Sequence, residues 1–115
     1  MTSYGRVTAR LAGHLATVLA LLLVPGAALA QTTAACQHDL AAVDVSFKRT
    51  MERLTAAESA DQSGKCVAWR QHVETMQAGV TVFNRCLTGH AQRENVLQLL
   101  VSIDDFEGLL KRKCS

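Results

Sequence analysis

Beyond Pro25 the chain has no proline, and aromatic residues make up only 4% of it. The first absence leaves long helices uninterrupted, and the second removes side chains that strands favour. Charge of one sign is missing as well. Twelve lysines and arginines face ten acids, and two of the twelve, Arg6 and Arg10, lie in the first thirty residues. The remainder is balanced, so it has no general electrostatic pull on nucleic acid or acidic lipid. The one basic cluster, Lys111-Arg112-Lys113, follows Asp104, Asp105 and Glu107. That order suits a helix dipole and reads as the end of a helix rather than a binding patch.

Catalytic constellations are also lacking. The sequence shows no glycine-rich phosphate loop and no Ser–His–acid or free Cys–His arrangement. Asp104 and Asp105 are adjacent, and neighbouring helix residues point about 100° apart. His90 and Glu94 form an ordinary one-turn helix pair. A small domain leaves little room for a deep pocket. We therefore expect neither an enzyme nor a cofactor.

The first thirty residues have a different character. Arg6 and Arg10 precede an apolar run from Leu15 to Val24, relieved only by Thr17. Pro25 and Gly26 then break it, and Ala28-Leu29-Ala30 offers small residues where a signal peptidase reads. The run is shorter than the roughly 20 apolar residues of a spanning helix. This order predicts a signal peptide over 1–30, cleaved after Ala30, and a domain over 31–115. No stable membrane insertion is expected after cleavage. A lipoprotein signal ending at Cys36 is disfavoured, because Thr33 stands where a large aliphatic residue is usual and acylation would leave three cysteines. The expected destination is the periplasm or the exterior.

The mature part, roughly 85 residues, is rich in alanine and leucine. Its apolar and small residues recur in alternating steps of three and four. The first series is Cys36, Leu40, Val43, Phe47, Thr50, Leu54, Ala57. The second is Cys66, Trp69, Val73, Met76, Val80, Phe83, Leu87. The third is Val96, Leu99, Ile103, Phe106, Leu110. Such spacing marks one face of a helix. Turn residues lie between the series, at Ser59 to Gly64 and at Thr88-Gly89-His90. The spacing predicts helices near 33–60, 65–88 and 91–113, with Gly89 ending the second in the left-handed conformation. Short connections predict an all-α, antiparallel, up-down-up three-helix bundle.

A domain this small often needs staples, and four cysteines supply them. They allow three pairings. In an antiparallel bundle Cys36 and Cys86 lie level, and so do Cys66 and Cys114. The other two pairings would span helix lengths that a disulfide cannot bridge. The bundle thus predicts Cys36–Cys86 and Cys66–Cys114.

The same register places His38 and His90 near Cys36 and Cys86. Two thiolates and two imidazoles form a zinc set if the cysteines stay reduced. His72 and Met76, one turn apart, with Met51 elsewhere, have the donor types that suit copper. Met76 lies on the core series, however, so this pair reads as a core methionine beside a surface histidine. Periplasmic zinc or copper binding through His38 and His90 is therefore the alternative function. The principal expectation is a non-enzymatic interaction module. Val96 to Val101 is apolar on nearly every side, and Leu97, Leu100, Val101 and Leu109 exceed what one buried face requires. These four are the expected interface, for an unknown protein partner or for self-association through the third helix.

Overall fold

The computed structural model describes residues 33–115, so the leader expected over 1–30 lies outside them. Three helices and no strand occur among the described residues: α1 (Ala34–Ala57), α2 (Gln62–Cys86) and α3 (Gly89–Lys113). Thr33 opens α1, its hydroxyl accepting the Cys36 backbone N–H at 3.2 Å. The helix stops at Ala57, three residues before the expected end, because Glu58 and Ala60 bond back three residues to the carbonyls of Thr55 and Ala57. Such bonds tighten the last turn and close it.

Asp61 opens α2, its carboxylate accepting the Gly64 N–H at 2.7 Å. This capping bond starts the helix three residues earlier than expected, since the polar run read as loop contains the cap itself. Leu87 and Thr88 are extended and end α2. Gly89 is left-handed, with φ +62°, but it begins α3 rather than closing α2. Gln92 reaches back across this turn, donating from Nε2 to the Asn84 carbonyl at 2.8 Å.

Burial follows the three-four series. Cys36, Val43, Thr50 and Ala57 are buried on α1, and Cys66, Val73 and Met76 on α2. Leu99 and Ile103 are buried on α3. Val73, Met76, Leu99 and Ile103 form the core cluster, with Phe47, Val80, Phe83, Phe106 and Leu110 packed against it. On α2 the buried surface is wider and takes in Ala68, His72 and Gly79. The reason is its position. α2 packs on both other helices, whereas α1 and α3 bring no Cα atoms within 8 Å of each other. Their side chains meet across Gly79, where an added Cβ would lie 2.7 Å from Phe47 Cζ and 2.9 Å from Leu99 Cδ1.

The disulfides join Cys36 to Cys86 and Cys66 to Cys114, with Cα separations of 5.3 and 5.8 Å. An Arg85–Asp39 ion pair lies near the first. Beside the second, Gln62 Nε2 donates to the Lys113 carbonyl at 3.2 Å, tying the start of α2 to the end of α3. Phe47 and Phe83 meet edge to face, their ring centroids 6.0 Å apart. That geometry is favourable for aromatic pairs. All four cysteines are thus bonded, a state that belongs to a non-reducing environment.

Candidate functional site

Helix geometry turns the α3 sequence into two faces. Each residue advances about 100°, so Leu99, Ile103, Phe106 and Leu110 group on one side, centred nearly opposite Leu97. The first two are buried and the others half-buried against α2. Leu97 is accordingly 62% exposed, Val101 54% and Leu100 48%. Leu100 and Val101 lie on either side of Leu97, each within about 60° of it, so the three span about 100° of the outer surface. Leu109 does not join them. It is half-buried and lies about 120° round the helix from Leu97, on the flank of the core. The expected four-residue interface therefore divides into an exposed trio and a flanking residue.

Two exposed charges continue the trio's face along the helix, Arg93 towards its start and Asp104 towards its end. Both lie within about 40° of Leu97. Neither forms an ion pair within the chain among the described residues. The other exposed large apolar residues, Val45, Met51 and Val67, are on α1 and α2.

The inner side of α3 holds a polar contact that sequence spacing did not reveal. His72, read from the sequence as a surface residue, is only 3% exposed. Its Nε2 lies 2.8 Å from Ser102 Oγ, and its ring packs on Phe106 with centroids 4.1 Å apart. Burial lowers its pKa from the ordinary histidine value, because the charged imidazolium loses solvation there. Among the described residues Nδ1 has no hydrogen-bond partner, and neither has the hydroxyl of fully buried Thr50. Thr50 and His72 are each fourteen residues in from the Cys36–Cys86 bond, on α1 and α2 respectively. The His72–Ser102 contact joins α2 to α3. His72 lies just off the three-four series, which marks only one face of α2. Its burial was hidden because that helix is covered on two sides.

A serine within hydrogen-bond distance of a histidine is the start of a nucleophile–base pair. Here Ser102 sits mid-helix, where the neighbouring backbone N–H groups are committed to the helix. No carboxylate is bonded to Nδ1. Among the described residues His72 Nδ1 therefore has no orienting carboxylate of the kind a catalytic triad uses.

The expected metal ligands lie on the surface. His38 is highly exposed and sits 3.3 Å from Asp39 Oδ1, while His90 is 3.2 Å from Glu94 Oε1. Cys36 and Cys86 share a disulfide and so supply no thiolate for a zinc set. No group of three potential metal-binding side chains occurs among the described residues. Met76 is buried in the core cluster beside the buried His72.

Between α1 and α2 runs an open groove of about 400 Å³, lined by Ala42, Ser46, Phe47, Thr75, Ala78 and Val82, with Asp39 and Glu74 also in its wall. No described helix is long and apolar enough to cross a membrane. No family model matches this chain, and neither does any curated protein or solved structure.

Proposed function

We propose that this chain is a small exported, non-enzymatic interaction module. In this reading its three helices run antiparallel, up-down-up, and the outer face of α3 meets a protein partner in the periplasm or outside the cell. The observation that carries it is the exposed trio Leu97, Leu100 and Val101, on the side of α3 that points away from α2. Large apolar side chains grouped on one helix face lose unfavourable hydration when a partner covers them. The two disulfides support the compartment, since they form and persist where thiols are oxidised. Stapling also suits a docking surface, because a rigid helix loses less entropy on association.

The experiment combines a disruptive double substitution with a local capture. Leu97→Lys with Val101→Lys is expected to leave helicity and melting temperature nearly unchanged, within about 0.5 kcal/mol for each surface site. It should abolish association. A photo-crosslinking side chain at position 97 should trap a protein at this face in living cells. A large fall in the melting temperature of the dilute, unassociated protein would show that the trio belongs to the core. Unchanged association, or no cross-linked species, would remove the interface.

A further inference from the structure

The partner's identity can be argued from the charges at the two ends of the apolar trio, on the reading of α3 as an interaction face. We infer that the partner is a second copy of the chain, its α3 laid antiparallel to this one about a two-fold axis. In such an isologous contact each residue pairs reciprocally, so one complementary pair occurs twice. The register that sets Leu97 against Leu100 of the other copy also sets Arg93 against Asp104. These charges are about 16 Å apart along one helix. Both are exposed, and neither forms an ion pair within its own chain among the described residues. The pairing therefore supplies each with a counter-ion and places the apolar trio between the two ion pairs.

Other arrangements of the same two helices lack this match. A parallel pairing in register sets Arg93 against Arg93 and Asp104 against Asp104, which repels at both ends. Sliding the antiparallel copy by one turn brings Leu97 against Asp104 and leaves Arg93 opposite Gly108. Opposed helix dipoles also favour the antiparallel sense. An apolar centre between terminal charges of opposite sign thus selects one direction and one register, which is how charge gives an interface its specificity.

The test uses the secreted protein with both disulfides formed, studied by sedimentation over a range of concentrations. The wild type should form a dimer. Arg93→Asp and Asp104→Arg should each weaken self-association by about tenfold or more, because each substitution places like charges together twice. Mixing these two variants should restore association as a heterodimer, since each then offers the charge the other needs. The double reversal should restore it in a single chain. Circular dichroism, and melting curves taken at concentrations low enough to keep every variant monomeric, should be unchanged throughout, as both positions are exposed. A wild type that stays monomeric up to about 1 mM, or single reversals that fail to complement each other, would overturn the self-pairing. Cross-linking from position 97 separates the two readings. Capture only of a different protein sinks the second-copy inference and leaves the interaction surface standing, whereas no capture at all sinks both.

Discussion

Gly79 and Gly108 both lie inside helices, yet replacing each with alanine is expected to act in opposite directions. Alanine gains about 1 kcal/mol of helix propensity over glycine at either place. At Gly79 the new methyl would press on Phe47 and Leu99 from two helices, at 2.7 and 2.9 Å. Overpacking typically costs about 1–3 kcal/mol and here outweighs the propensity. At Gly108 the nearest atom is the tip of Arg112, Nη1 at 3.1 Å, which moves aside cheaply. Melting curves should show Gly79→Ala less stable and Gly108→Ala more stable than the wild type. The histidine at the α2–α3 contact adds a pH dependence. Burial lowers the His72 pKa below the ordinary value of about 6.5. The unfolded chain therefore takes up this proton first, and the unfolded state is favoured as the pH falls. The contribution is complete above about pH 6.5 and is lost as the pH drops through that value towards the lower folded pKa. The urea midpoint should fall between pH 7.5 and 5.5, and the fall should shrink in His72→Gln. An equal fall in both proteins would assign it to other groups.

The helices themselves were legible because burial repeats once per turn, and three-four spacing reports that directly. Their ends were less so. The polar run around Asp61 reads as loop, but the Asp61 carboxylate caps the N–H of Gly64, and that bond begins α2 three residues early. Gly89 has the left-handed backbone that the sequence predicts, with φ +62°, but it begins α3 instead of closing α2. A left-handed residue satisfies a turn between helices, and its assignment to one or the other depends on neighbouring bonds. This turn is testable alone. No heavy atom lies within 4 Å of a Cβ built at Gly89, so substitution there acts through backbone strain only. Gly89→Ala should cost about 1–2 kcal/mol, and Gly89→Asn distinctly less, because asparagine tolerates this conformation better. Equal losses in thermal melts would point to a side-chain effect instead. On α3 the candidate interface was legible as a surplus of leucine and valine. Separating Leu109 from Leu97, Leu100 and Val101 needed the observed burial.

At the scale of the whole molecule, the disulfides span sequence separations of 50 and 48 residues. Cross-links over such loops are worth about 4 kcal/mol each in the chain-entropy estimate. Removing one by Cys36→Ser with Cys86→Ser should lower the melting temperature by about 15–30 °C for a domain of this size. A change of a few degrees would show that packing alone holds α1 on α2. This bond matters particularly because, among the described helices, α1 packs its backbone on α2 alone.

The sequence by itself determined the helical class, the three inner faces, the cysteine pairing and the apolar surplus on α3. Each follows from spacing along the chain, through the repeat of the helix and the heights at which cysteines can meet. Only the tertiary structure decided that α2 is the central helix, that Gly79 is the point where Phe47 and Leu99 converge, and that His72 is buried against Ser102 and Phe106. Periodicity describes one helix at a time. Which helix is covered on two sides depends on where residues far apart in sequence come together, and that packing is what draws an off-series histidine into the interior.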